Sequence, residues 1–352
     1  MKVRSHKARS INFDLTRGDV PRTAEKFGVQ MSTFRVLITD YAWPDLTIER
    51  DVLKEIGAEI VLPDSTSESD LVRAATGVDA ILTNWAQTSA KVIAAAPKCR
   101  IVSRMGIGLD NIDLDYCTSH GIPVTNVPDY CVLEVAEHTL ALLLALGRNV
   151  AHYHWRTKAG EYRLQDGPPL RRLKGQTLGI IGLGQIGQAV AERARGFGFN
   201  ILATGRTPKT LPGASWVELD ELLERSDYVS LHCPLTPETR HLIGQEQFSK
   251  MKSTAFLINT ARGGVIDHEA LSVALEKGEI AGAALDVQDP EPAPVDEAPY
   301  CHPRVLVTPH AAFVSEESLA DLRFRSATQV KARLTGEIPE CVVNEVDLAG
   351  SF

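Results

Sequence analysis

Arg262, Glu291 and His310 have the types and positions to transfer a proton to an oxygen held beside an anion. Arg262 follows the run LINTA and precedes Gly263 and Gly264, so a guanidinium leaves a strand end on a flexible turn. There it can grip a carboxylate through two parallel hydrogen bonds. Glu291 stands in Asp289-Pro-Glu-Pro, and His310 follows Val307-Thr-Pro. A carboxylate beside an imidazole favours the protonated ring, which then serves as a general acid near neutral pH. All three lie at or just after strand-like runs, where ligands gather in open α/β sheets. Taken singly, each also has a plainer reading: a surface ion pair for Arg262, a turn cap for Glu291, a satisfied core histidine for His310.

A second chemistry lies in Gly182-Leu-Gly184-Gln185-Ile186-Gly187, directly after the strand-like TLGII and before an Ala-rich helical stretch at 188–197. In that context Gly182 permits a tight turn, Gly184 lets the backbone approach a pyrophosphate, and Gly187 lets helix and strand pack closely. The helix N-terminus then faces the phosphate charge. About 20 residues on, NAD-binding folds place an acidic residue on the ribose 2′-hydroxyl. The residues here are Thr204-Gly205-Arg206-Thr207. Without a carboxylate nothing repels a 2′-phosphate, and Arg206 can pair with that dianion, so NADP is expected over NAD. The other reading makes Arg206 a solvated charge, or a stacking partner of adenine with no 2′ preference.

The elements that must position these groups alternate. FRVLITD, AEIVLP, VDAILTN and CRIVSRM, with helix candidates at 46–56 and 88–96, give a βαβα rhythm from 34 to about 130. A second series starts at Thr177-Leu-Gly-Ile-Ile and runs through NILA, YVSLH, AFLIN, GAALD and RVLVT. The fold class expected is α/β, with two doubly wound parallel-sheet domains. Residues 134–160 read as one long connecting helix, and another helical pattern, Glu316 to Leu334, ends at Gly336 and Pro339 before an extended Cys341-Val-Val-Asn.

Composition limits the function classes. The 352 residues suffice for two compact domains, and 44% hydrophobic with 23% charged residues is ordinary globular usage. A net charge of −8 gives no overall attraction to nucleic acid, and TLALLLAL at 139–146 is less than half of the roughly 20 residues that cross a bilayer. Neither a nucleic-acid nor a membrane partner is expected. Cys99, Cys117, Cys131, Cys233, Cys301 and Cys341 form no C-x-x-C pair and no zinc-finger spacing, so they read as reduced cytoplasmic thiols with no metal. Residues 1–30 mix basic and acidic side chains without a signal-peptide core, and are expected to be a dispensable, disordered tail. An organelle-targeting peptide is the alternative.

From about residue 34 to 345 the chain resembles the D-isomer-specific 2-hydroxyacid dehydrogenase family. The resemblance is carried by LGIIGLGQIG, HCPLTPETRHLI, LINTARGGVIDHEAL, GAALDVQDPEP and VTPHAAF, in order and spacing. It implies a Rossmann cofactor domain, 134–311, inserted into a flavodoxin-like substrate domain, 31–133 plus 312–345. By the same resemblance His310 is the proton donor, Glu291 its carboxylate partner and Arg262 the residue holding the substrate carboxylate. Asp286 matches the position near the nicotinamide. The implied cofactor contacts are Gly182, Gly184, Gln185, Ile186, Gly187, Arg206, Thr207, Cys233, Pro234 and Thr260. Met105 to Asp113 matches the family's substrate loop, where the N–H groups of Ile107 and Gly108 take the carboxylate in a glycine-rich nest.

The implied activity is nicotinamide-dependent hydride transfer to C2 of a small 2-oxo acid, or the reverse, in a homodimer whose interface includes the 134–160 region. Gly205 with Arg206 stands where the family usually has an acidic residue, as in the NADP-using glyoxylate/hydroxypyruvate reductases. Two other members stay in view. TPHAAFVSEES through LTGEIPECVVN resembles the C-terminal binding proteins, which are nucleotide-sensing corepressor scaffolds. A phosphoglycerate dehydrogenase would need cations for a phosphate, for which Arg104 is a candidate, and no appended regulatory module is expected after residue 345. Trp85 and Phe313 either wall the substrate pocket or are core aromatics.

Overall fold

The computed structural model describes residues 34–165 and 169–348, in which the alternating runs form two separate sheets. The first contains β1 (Arg35–Ile38), β2 (Glu59–Val61), β3 (Ala80–Thr83), β4 (Val102–Arg104) and β5 (Val124–Thr125), in the order β2-β1-β3-β4-β5. Between these strands run α1 (Thr47–Lys54), α2 (Glu68–Ala75), α3 (Ala90–Ala94) and α4 (Leu114–Ser119). Two helices, α5 (Val132–Gly147) and α6 (Val150–Lys158), lead to the second sheet. Its strands are β6 (Thr177–Ile181), β7 (Asn200–Thr204), β8 (Ala214–Trp216), β9 (Tyr228–Leu231), β10 (Phe256–Asn259), β11 (Gly282–Leu285) and β12 (Val305–Val307). Its helices are α7 (Gln185–Gly196), α8 (Leu219–Arg225), α9 (Gln245–Lys250) and α10 (His268–Lys277), and α11 (Glu316–Leu334) follows the last strand.

Every strand pairing within the two sheets is parallel, so all carboxyl ends of a sheet lie on one side. The second sheet runs β12-β11-β10-β9-β6-β7-β8, and its strand order reverses between β6 and β9. That reversal opens the crevice in which doubly wound sheets bind ligands. Strands β3, β9 and β11 are buried at every residue, and their apolar runs without alternation reflect helices on both faces. Where the two sheets meet, Cys131, Val135 and Ala312 form a small cluster with Ile107, Tyr130, Ile186 and Phe313 packed against it.

The single helix expected over 134–160 is two. The chain breaks at Asn149, whose φ of 52° is a left-handed conformation that asparagine tolerates. The first piece, α5, packs on α7, β10 and β11, and comes so near Tyr228 that a side chain at Gly147 would collide with its hydroxyl. The second, α6, buries none of its residues. Two helices not anticipated, α2 and α4, carry side-chain caps: Ser67 accepts from the Asp70 N–H and Asp113 from the Tyr116 N–H. The edge strand β8 was also unforeseen. No described helix is long and apolar enough to cross a membrane, and the expected tail at 1–30 lies outside the described residues.

The chain ends on the first sheet. Helix α11 packs on α1, β3 and β4, and beyond it the Val343 N–H donates to the Val124 carbonyl at 2.8 Å. Arg323 of α11 donates through Nε and Nη2 to the two oxygens of Glu49 on α1, both at 2.8 Å, and its guanidinium lies over the Trp43 ring. Glu49 is fully buried, so removing its charge takes away the buried guanidinium's two-oxygen partner and leaves it only the Asp45 carbonyl and carboxylate. Glu49→Ala is expected to lower unfolding stability in urea by about 3–5 kcal/mol, and the paired change Glu49→Leu with Arg323→Met by far less. Equal losses in the two variants would show that the pair is not the source.

Candidate active site

Three neighbouring carboxyl ends of the second sheet, those of β10, β11 and β12, carry Arg262, Glu291 and His310. Buried Asn259 shapes the turn after β10: its Oδ1 accepts from the Ala261 N–H and its Nδ2 donates to the Arg262 carbonyl. Glu291 Oε2 lies 2.9 Å from Nδ1 of His310, while Oε1 accepts the Gln288 N–H at 2.8 Å. The carboxylate is thus held by its own loop and engages Nδ1, leaving Nε2 as the ring nitrogen available for proton transfer. His310 itself has φ of 52°, an uncommon conformation for a residue with a side chain.

Asp286 maintains that conformation. Its carbonyl accepts the His310 N–H at 2.7 Å, and its carboxylate accepts the Ala311 and Ala312 N–H groups at 2.9 Å and the Thr308 hydroxyl at 2.6 Å. Thr308 in turn lies 3.1 Å from Nε2 of His138 on α5. Burial works to raise the Asp286 pKa, but these donors and His138 outweigh it and pull the group down to about 2. The side chain that resemblance places near the nicotinamide therefore sits beneath the His310 segment and is itself fully buried.

The first sheet meets Arg262 at a basic corner. Arg262 Nε donates to Asp110 at 3.0 Å, and its guanidinium lies so close to Gly108 that any side chain there would overlap it. Among the described residues the N–H groups of Ile107 and Gly108 have no protein acceptor, so they are free for an anion. Behind the loop, Arg104 is buried, with Nε on Asn111 and Nη1 on Asn84 and the Met105 carbonyl. Burial and then the nearby charge of Arg262 push its pKa down to about 10. Two guanidiniums in one corner make an anion welcome, although Arg104 is occupied in holding the loop.

An aromatic wall that sequence reasoning left undecided stands beside His310. The Trp85 ring centroid is 6.1 Å from His310 and 6.3 Å from Phe313, and Trp85 is 44% exposed, so it is no core aromatic. Its loop is rigid: Asp40, at the end of β1, accepts the N–H groups of Asn84, Trp85 and Ala86 at 2.8–3.2 Å. The side-chain amide of Asn111 donates to the Asn84 and Ala86 carbonyls. Sequence reading gave Asp40, Asn111 and Gln288 no role, although Asn111 lies within Met105–Asp113 and Gln288 within GAALDVQDPEP.

The glycines after β6 fit a dinucleotide. Gly182 has φ of 99°, and a Cβ there would come within 2.6 Å of the His232 backbone. A side chain at Gly187 would collide with the Gly182 carbonyl, whereas the space around Gly184, the N-cap of α7, is open. That pattern is a cradle closed on the protein side and open toward a phosphate at the helix N-terminus. Gln185 is exposed beside it, and Ile186 packs against the small cluster between the sheets. Cys233 and Pro234 flank the cradle after β9, and burial pushes the Cys233 thiol up to about 11. Thr260 is bonded to Thr139 at 2.9 Å, and Arg206 and Thr207 are exposed after β7. Among the described residues no cluster of His, Cys, Asp and Glu could hold a metal.

Comparison with known proteins agrees with this geometry. The family model described as D-isomer specific 2-hydroxyacid dehydrogenase, NAD binding domain, matches residues 140–312. A glyoxylate reductase of Korarchaeum cryptofilum is 44% identical over 264 residues, 73% of this chain and 79% of that one. A D-3-phosphoglycerate dehydrogenase of Methanocaldococcus jannaschii is 39% identical over 315 residues, 88% of this chain but only 59% of that longer protein. The solved D-lactate dehydrogenase from Aquifex aeolicus, complexed with NAD and lactic acid, superimposes with a TM-score of 0.78 at 32% identity, covering 86% of this chain and 96% of that one.

The Asp286 arrangement predicts two effects of Asp286→Asn, since an amide keeps one acceptor oxygen and turns hydrogens toward donors already in place. Turnover is expected to fall by about tenfold or more as the His310 segment shifts. Because the folded pKa lies below the ordinary 3.8, the carboxylate's stabilisation is complete above that value and is lost as pH falls from 3.8 towards 2. Acid titration followed by circular dichroism should show that loss in the parent and not in the variant. Matching acid profiles would overturn the assignment.

Proposed function

The chain belongs to the D-isomer-specific 2-hydroxyacid dehydrogenase family, and from that premise we propose that it is a 2-oxo acid reductase of the glyoxylate/hydroxypyruvate type, with NADP favoured over NAD. The observation that carries this reading is the hydrogen bond between His310 Nδ1 and Glu291, set beside a guanidinium that presses on Gly108 of the opposite sheet. When bound, the reduced nicotinamide supplies a hydride to C2 of the oxo acid. The protein's part is to hold the substrate carboxylate between Arg262 and the free N–H groups of Ile107 and Gly108. His310 then gives a proton from Nε2 to the oxygen on C2, and Glu291, bonded to Nδ1, keeps the ring turned for that step. Trp85 and Phe313 give the pocket an apolar wall on the side of the substrate's remaining substituent.

Arg206 supports the choice of NADP: it stands exposed past β7, beside Gly205 and without the acidic residue that would repel a 2′-phosphate. All six cysteines are free, which suits a cytoplasmic setting. The exposed apolar side chains Leu133, Val150, Trp155, Tyr162 and Leu164 lie in and around α5 and α6, and we assign them to the contact of a homodimer. Light scattering at micromolar concentration should give twice the chain mass, and Trp155→Glu should reduce it; a monomeric parent would refute the assignment.

The function is tested by following NADPH and NADH oxidation in parallel with glyoxylate, hydroxypyruvate, pyruvate and bulkier 2-oxo acids. Turnover should be faster with NADPH, fall by about 10²–10⁴-fold in His310→Ala, and show a KM for NADPH raised about tenfold or more in Arg206→Ala. Tight nucleotide binding without turnover of any 2-oxo acid would instead favour the corepressor-scaffold reading.

A further inference from the structure

Gln288 and Asp289 together touch the segments that carry Arg262, Glu291 and His310. The N–H of Gln288 holds Glu291, and the Gln288 side-chain amide donates to the Thr308 carbonyl at 3.0 Å, two residues before His310. The Gln288 carbonyl packs so tightly on Gly263, the residue after Arg262, that a Cβ there has no room. On its other side the Asp289 N–H donates to Tyr300 Oη at 3.3 Å, and the Tyr300 hydroxyl lies 3.2 Å from the Asp289 carbonyl. His268, the first residue of α10, places Nδ1 2.8 Å from Tyr300 Oη and 3.2 Å from the same carbonyl.

These contacts place a proton on Nδ1 of His268. The carbonyl accepts and cannot donate, so a bare Nδ1 would set two lone pairs face to face. With a proton on Nδ1, His268 donates to Tyr300 and the carbonyl, the Tyr300 hydroxyl donates to the carbonyl, and Tyr300 Oη also accepts the Asp289 N–H. The neutral ring then leaves Nε2 as a lone pair, in keeping with its burial without a hydrogen-bond partner. Burial holds His268 below and Tyr300 above their ordinary pKa values, so both are neutral at neutral pH. The charged and titratable groups around His268 are Asp267, Asp289 and His241, and Arg240 lies 3.7 Å from Asp289.

We propose that Tyr300 and His268 are positioning residues for catalysis: their hydrogen bonds to the Asp289 backbone hold the 288–291 loop so that Glu291 meets His310. The hydrogen bonds of both side chains go to each other and to the Asp289 backbone, so their effect on chemistry passes through the loop that carries Glu291. The inference rests on the reading of His310 and Glu291 as the proton-donating pair.

Tyr300→Phe removes one oxygen and keeps the ring, which packs edge-on to His268 with centroids 5.4 Å apart. Its kcat for a 2-oxo acid is expected to fall by about fivefold to tenfold, with both KM values changing by less than about twofold. The pH at which turnover declines should move in the same direction as in Glu291→Gln. In the Glu291→Gln background Tyr300→Phe should cost nothing further, because the carboxylate it positions is gone. Additive losses, or lower thermal stability with an unmoved pH profile, would overturn the proposal. Should the parent reduce no 2-oxo acid, the functional reading fails separately. The His310 ring proton resonances still decide, moving in Tyr300→Phe as in Glu291→Gln if Tyr300 positions the carboxylate, and staying unmoved if it does not.

Discussion

A buried carboxylate, Asp286, is the interaction on which the active site depends. It receives the Thr308 hydroxyl and two backbone N–H groups of the segment that carries His310, while its carbonyl receives a third. Charged acceptors make stronger hydrogen bonds than neutral ones, and a buried carboxylate without donors would be prohibitively costly. The same bonds therefore satisfy Asp286 and fold the His310 segment into its left-handed turn. Immediately beyond, at Ala312 and Phe313, the chain returns to the first sheet, so the turn that orients the imidazole also sets the crossing between the two halves.

Parallel topology supplies the rest of the convergence. Because β10, β11 and β12 lie side by side and point the same way, the loops after them must gather at one edge, whatever their separation in sequence. Arg262, Glu291 and His310 become neighbours for that reason. The first sheet brings a loop of glycines and free N–H groups against Arg262, and the overlap that any side chain at Gly108 would cause shows how closely the halves meet there. Charge then follows geometry. Arg104 and Arg262 share a corner offset chiefly by Asp110, and the field there favours a small anion.

The rigid surroundings of these groups come from residues without chemical roles of their own. Asp40 and Asn111 fix the loop that presents Trp85, Asn259 shapes the Arg262 turn, and Gln288 ties the Glu291 loop to β12. Each is a polar side chain that hydrogen-bonds loop backbone, which is how irregular loops satisfy their peptide groups when sheets alone cannot. Such loops hold reacting groups in place before substrate arrives, and preorganisation of that kind is where much of catalysis resides.

Much of this was legible in the sequence, for physical reasons. Strands buried on both faces must be continuous apolar runs, and a dinucleotide turn must put glycines where backbone meets backbone, so the two sheets and the Gly182–Gly187 cradle could be read directly. Arg262, Glu291 and His310 each had a plainer reading taken singly, and their roles were legible through the ordered motifs of the family resemblance. Tertiary structure decided what depends on contacts distant in sequence. The close approach of α5 to Tyr228 at Gly147 is one such contact, and the exposure of Trp85 follows from its loop's attachment to Asp40. The placement of Asp286 beneath the His310 segment, and the junction of Tyr300, His268 and Asp289, exist only once separate loops meet. Local residue pattern determines which segments are strands, helices and turns, whereas a hydrogen bond between loops depends on where the folded sheets bring them.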